Sequence, residues 1–176
     1  MALSIQPNEL VRNLQSKLTS LELPFYIFIQ DWLMNEKRHL TADVNHFLSI
    51  RERNEIIQDI SLNTQWTPII LYNDGYDDDG LQIFQIIHGS KVVDAISAFI
   101  NDDDTDTTEL IKYNKLGSVD TDWIDSRKLR VMIYDNLTDA EKAVLLTRSD
   151  TWNKIHEEFD SLETITVKET IVHGHE

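Results

Sequence analysis

Leu10, Val11, Leu14, Leu18 and Leu21 recur at intervals of three and four residues, with Pro7 suited to a first turn. This spacing predicts a helix over Pro7–Leu21. Pro24 breaks the pattern. Phe25–Met34 is apolar and aromatic, and its length fits a strand and a buried helix equally well. Asn35–Asn45 is polar and reads as a connection. Ser49-Ile50-Arg51-Glu52 is a capping box, and the helix it opens carries Ile56, Ile57 and Ile60 before Asn63 and Thr64 end it.

From Trp66 the period changes. Trp66–Tyr72 reads as a strand, with Pro68 implying an edge or a strand start because it has no N–H for a ladder. Asn73–Gly80 is a turn rich in Asp and Gly, so Ile69–Tyr72 and Leu81–Ile87 are expected to pair as a long hairpin. Ile83, Phe84, Ile86 and Ile87 form an apolar, β-branched run that stops at His88-Gly89-Ser90. Val92, Val93, Ala95, Ile96 and Phe99 then return to helical spacing. Asn101–Thr108 is an acidic loop, and Leu129–Tyr134 is a strand. Thr138-Asp139-Ala140-Glu141 is a second capping box, before Val144, Leu145, Arg148, Trp152 and Ile155. Ser161–Val172 alternates enough for an edge strand or a mobile tail. The order predicts an α+β protein with a small mixed sheet rather than regular βαβ alternation. It divides into an amino-terminal helical appendage (1–38), an α+β domain (39–158) and a tail (159–176).

Composition narrows the chemistry. The chain lacks cysteine, which excludes disulfides, thiolate metal sites and a thiol nucleophile. Its 41% hydrophobic content suffices for a core. Met1-Ala2-Leu3-Ser4 lacks a basic stretch followed by an apolar one, so no secretory signal is expected, and no apolar run reaches the length of a membrane span. The expected setting is cytoplasmic. A net charge of −15 argues against direct nucleic-acid binding, which needs a basic surface. Nine of those net charges lie between Leu71 and Glu109, where Lys91 is the one basic residue. Asp77, Asp78, Asp79, Asp102, Asp103, Asp104 and Asp106 therefore read as solvated loops or as an acidic face for a basic partner.

Candidate chemistry concentrates at the strand-to-helix junction. A strand that ends at glycine and restarts as a helix turns backbone N–H groups outward, a geometry that favours phosphate. Gly89 and Ser90 would supply N–H groups, Ser90 could cap the helix, Lys91 adds positive charge, and His88 is the candidate base. The same residues also suit a plain strand-to-helix turn, because Gly-Ser-Lys is shorter and poorer in glycine than a P-loop. Asp102-x-Asp104-x-Asp106 has the opening spacing of an EF-hand, but Thr107 stands where glycine is needed and Tyr113 where the closing glutamate belongs. The histidines lack helical zinc spacing, and there is no Gly-x-Ser-x-Gly element, so no metal site is expected and a hydrolase nucleophile is unsupported.

From Leu40 to Asn153 the order of elements resembles the ParB N-terminal-like fold, and within it restriction subunits of the GmrSD type. The likeness rests on five segments. They are Val44-Asn45-His46 with Ile50, the helix Arg51–Ile60, the strand Thr67-Pro68-Ile69-Ile70-Leu71, the junction Ile87-His88-Gly89-Ser90-Lys91-Val92, and Val131–Tyr134 with Leu137-Thr138-Asp139-Ala140-Glu141. The family's junction reads Ile-Asp-Gly-Gln-Gln-Arg. Here His88 replaces the acid, Ser90 and Lys91 the glutamines, and Val92 the arginine; His46 falls on the arginine of the first motif. Losing the junction arginine to Val92 removes a bidentate phosphate clamp that lysine does not replace.

The resemblance thus implies a degenerate member that keeps the scaffold and has lost the hydrolytic site. The expected function is non-enzymatic binding through an acidic face, as an inhibitor, decoy, assembly subunit, or virion or mobile-element accessory, with no cofactor. The partner would be a protein, such as a basic nucleic-acid-handling one. The alternative is residual nucleotide binding or hydrolysis with Mg²⁺ at Gly89, Ser90 and Lys91, with Asp94 or an acidic loop as the metal-ligand source. The leucine stripe of the first helix suits packing on this domain and contact with another chain alike, which leaves homo-oligomerisation open.

Overall fold

The computed structural model describes residues 7–42, 48–64, 67–101 and 109–147. The protein is α+β. Its strands are β1 (Leu18–Pro24), β2 (Arg38–Thr41), β3 (Ile69–Tyr76), β4 (Gln82–His88) and β5 (Lys128–Tyr134). They form one mixed sheet in the order β1-β5-β3-β4-β2. β1 runs antiparallel to β5, β5 parallel to β3, β3 antiparallel to β4, and β4 parallel to β2. Period-two alternation sends Ile69 and Leu71, Phe84 and Ile86, and Leu129, Val131 and Ile133 to a common face.

The helices that cover this face are α2 (Phe25–Phe28, continued by a π-helical turn over Ile29–Leu33), α3 (Ile50–Ser61), α4 (Ser90–Ile100) and α5 (Ser118–Asp125). Ile57 and Ile60 of α3, and Val92, Val93, Ile96 and Phe99 of α4, enter the same core as Phe25, Phe28, Trp32 and Ile124. Trp32 meets Phe84 edge-on at 4.9 Å, and the Arg38 guanidinium lies 4.4 Å over the indole. Two polar clamps tie the segment before α5 to this layer. The Asn54 side chain donates to the Glu109 carbonyl (2.8 Å) and accepts from the Ile111 N–H (2.9 Å). Buried Lys112 donates to the carbonyls of Ala98 (3.0 Å) and Asn101 (2.8 Å), satisfying the carboxyl end of α4.

The start of α3 matches its sequence signature. The Ser49 hydroxyl accepts from the Glu52 N–H (3.2 Å), and the Glu52 carboxylate accepts from the Ser49 N–H (2.7 Å). The Ser49 backbone N–H on the carboxylate, helped by the Ser49 side chain, holds the Glu52 carboxyl below the usual glutamate range. Because its folded value lies below its unfolded one, the cap contributes fully above the ordinary glutamate pKa and is lost as pH falls through the depressed value. Ser49→Ala is expected to cost about 1 kcal/mol at neutral pH. The deficit should shrink in acid, as read by urea unfolding at several pH values.

Several expectations need correction. α1 (Pro7–Ser16) stops before Leu18, and the last two leucines of the stripe belong to a strand or its start. Leu21 and Leu23 face Val131 and Leu129 across the β1–β5 ladder and pack against the core. That pairing satisfies a whole row of backbone groups, which outweighs helical spacing alone. Of Phe25–Met34, Phe25–Leu33 is helical, and the Phe25 N–H is held by the Arg127 carbonyl at 2.7 Å. Asn35–Asn45 is not simply a connection, because Arg38–Thr41 forms the short edge strand β2 against β4. Within the expected helical appendage (1–38), Leu18–Pro24 is instead a strand of the sheet, beside β5. Pro68 precedes β3, an interior strand, so the strand-start reading holds and the edge reading does not. The hairpin forms as expected, with β3 extended to Tyr76 across two irregularities.

Two compact units divide the chain, Met1–Leu137 and Thr138–Glu176. In the second, residues 139–147 are helical (α6). The Thr138 N–H donates to the Glu141 carboxylate (2.9 Å), and the Glu141 N–H donates to the Thr138 hydroxyl (3.2 Å), completing the second capping box. The boundary at 158 and the Ser161–Val172 strand or tail lie outside the described residues. Among the described residues, no helix is long and apolar enough to cross a membrane.

Candidate functional site

His88 ends β4 opposite Ile70, just past the register irregularity that separates this pair from Leu71 and Ile86. Gly89 follows in the left-handed region, with φ +88° and ψ 16°, as the N-cap of α4. A Cβ on Gly89 would stand 3.1 Å from the Ile69 Cα and 3.2 Å from the Pro68 carbonyl oxygen. Glycine is thus required twice over, by a torsion that L-residues avoid and by the close approach of β3. Ser90, expected as the cap, is instead the first helical residue, and no side chain caps this helix start. The Val93 N–H donates back to the Gly89 carbonyl at 3.1 Å.

The charges around this turn face one another. Lys91 lies close enough to Glu52 to help lower its carboxyl, a smaller effect than the Ser49 hydrogen bonds. Arg53 reaches Asp94 at 3.3 Å between α3 and α4, which engages the residue considered as a metal ligand. Val92, which the resemblance set against an arginine, is only 5% exposed and belongs to the core. The junction therefore joins Gly89, Ser90 and Lys91 as adjacent backbone, but a carboxylate sits beside its one lysine. An anion at this turn would meet Glu52 as well as Lys91.

The described part of the acidic face lies elsewhere. Asp77, Asp78 and Asp79 occupy the β3–β4 turn. The Asp77 carboxylate accepts from the N–H groups of Asp79 (3.0 Å) and Leu81 (2.7 Å), so it shapes the turn, while Asp78 and Asp79 are exposed. The seven residues of β4 separate this turn from Gly89 by roughly 20 Å. Asp102, Asp103, Asp104 and Asp106 lie outside the described residues, as does His46.

A shallow polar cavity of about 350 Å³ is lined by Ile50, Arg51, Asn54, Glu55, Gln58 and Glu109, with the exposed Arg51–Glu55 ion pair (2.8 Å) on its wall. Gly89, Ser90 and Lys91 are not among its lining residues. Among the described residues, no group of three or more His, Asp or Glu is placed to hold a metal ion.

Sequence reasoning passed over three positions that the structure makes prominent. Asn54 and Lys112 carried no motif, and their roles arise from carbonyls distant in sequence. Trp123 was visible as an aromatic residue between Asp122 and Ile124, but no pattern indicated its exposure. Compared with protein-family models, the chain matches none, and no curated protein matches it either.

Proposed function

We propose that this is a non-enzymatic binding or accessory protein on a degenerate ParB-like scaffold. It works by protein–protein contact through its acidic surface, as an inhibitor, decoy or assembly subunit. Its setting is the cytoplasm, or a virion if the protein is viral, and its partner is a basic protein that handles nucleic acid. The observation that supports this reading best is the use made of the Gly89 junction. Gly89 is occupied by backbone packing, Val92 by the core, and Lys91 and Asp94 by neighbouring charges of α3. Those are the positions that residual nucleotide chemistry would need, while the net charge of −15 favours a cationic partner.

Calorimetric titration of ATP, GTP and CTP with Mg²⁺ tests the reading. Neither the natural protein nor Lys91→Ala is expected to give heat, and the substitution should change stability by less than about 1 kcal/mol. Binding that disappears in Lys91→Ala would replace this proposal with the nucleotide-binding one. Once a partner is in hand, raising salt from about 0.1 to about 1 M shortens the screening length from roughly 10 to roughly 3 Å and should dissolve the complex.

A further inference from the structure

α5 presents an apolar stripe to solvent at the carboxyl end of α3. Val119 and Trp123 are one turn apart and share a face of α5. They are 79% and 53% exposed. The Trp123 indole N–H donates to the Ser61 carbonyl (2.9 Å), which fixes the ring beside the end of α3, where Leu62 follows with 70% exposure. The other ring contact is the Arg127 guanidinium, 3.8 Å from the centroid. Half of a large aromatic surface is thus held in one orientation and left wet, alongside two exposed aliphatic side chains.

The surroundings of this corner are acidic. Helical periodicity puts Asp120 on one flank of the Val119–Trp123 stripe and Asp122 on the other, and both are exposed. Asp59 is exposed on the last turn of α3, a turn without a basic residue whose carboxyl end carries the negative pole of the helix dipole. Arg127 is the cation seen against the stripe, and it is engaged on the indole.

The geometry points to this corner, Leu62, Val119 and Trp123 rimmed by Asp59, Asp120 and Asp122, as the docking surface for a protein segment that carries an apolar anchor flanked by lysine or arginine. Apolar side chains of the segment cover the indole and its two aliphatic neighbours, and its cations meet the rim. Oriented tryptophans with a polar rim are the usual energetic centres of protein contacts. The charge decides against other occupants. Nucleic acid and anionic lipid are repelled by the rim and by the net −15, and so is a second copy of the chain. This assignment rests on the protein-contact reading proposed above and gives it a location.

The test uses two probes, an amphipathic leucine–lysine peptide and a lysine homopolymer of matched charge. Binding is followed by the NMR signal of the Trp123 indole N–H and by titration. The leucine-bearing peptide is expected to shift that signal and to bind at least about tenfold more tightly than the homopolymer. Trp123→Ala removes the anchor but also a hydrogen bond, so the deciding variants are Leu62→Gln and Val119→Gln, which remove apolar surface without changing charge at side chains mostly in water. Each is expected to weaken the leucine–lysine peptide about tenfold or more and to leave the homopolymer unchanged. If both probes bind with equal affinity and neither variant matters, the corner assignment falls and the broader acidic-contact reading survives. If neither probe binds at low salt, both fall.

Discussion

Gly89→Ala is expected to destabilise the protein by about 2–4 kcal/mol, far more than a glycine-to-alanine change in an open loop. Two costs combine. Alanine at φ +88° lies in a region that costs L-residues roughly 1–2 kcal/mol. Its Cβ would also meet the Ile69 Cα at 3.1 Å and the Pro68 carbonyl at 3.2 Å, backbone atoms that yield only if the start of β3 moves. Gly75→Ala separates the two. Gly75 has nearly the same torsion, φ +89°, but nothing within 4 Å of its would-be Cβ, so it carries the torsional cost alone. In urea unfolding, Gly89→Ala should lose more than Gly75→Ala by the packing share, roughly 1–2 kcal/mol. Equal losses would show that the approach of β3 does not constrain Gly89. A negligible loss at Gly89 would return this glycine to ligand binding, where only close approach of a phosphate demands it.

Phe99→Ala should have the largest effect of any single substitution considered, about 3–5 kcal/mol. Phe99 is 1% exposed. Its ring meets Phe25 edge-on at 6.0 Å and Tyr113 at 5.6 Å, so one side chain of α4 joins α2 to the segment before α5. The Tyr113 hydroxyl is in turn held by the Asp125 carboxylate at 2.9 Å. The cavity is therefore walled by groups fixed from behind and collapses little, which places the cost toward the upper end of that range. Phe99→Leu, which keeps most of the volume, should cost about half as much. Thermal melts of the three proteins give the ordering directly, at roughly 2–4 °C for each kcal/mol in a chain of this size. A Phe99→Ala protein within about 1 kcal/mol of the natural one would contradict this packing.

Sequence and structure agree best where a segment completes its own cap or turn. α3 is marked at both ends, by Ser49 and Glu52 at its start and by Asn63 and Thr64 after it, because caps are contacts within a few residues. The β3–β4 hairpin is legible because Asp77 bonds to Asp79 and Leu81, a turn that completes itself locally. The strand-to-helix junction, α4, β5 and the second capping box are legible for the same reason, and charge is a plain sum over residues. So the sequence by itself determined the α+β class, the main elements of the sheet's interior and the acidic character.

Only the tertiary structure decided what depends on partners distant along the chain. Leu18–Pro24 is a strand because β5 lies beside it, and Arg38–Thr41 because β4 does. Neither segment carries a signal strong enough to announce a ladder whose other half is elsewhere. Gly89 suited a phosphate turn and a plain strand-to-helix turn alike, and the nearness of Ile69 and Pro68 became visible only in the fold. Lys112 carried no motif and is buried on the end of α4. Trp123 carried no sequence signal for its place, and it stands half in water. The reason is common to all of these. Local periodicity specifies which groups a segment can offer, but which of them are paired, buried or left open is a property of the surfaces that folding brings against it.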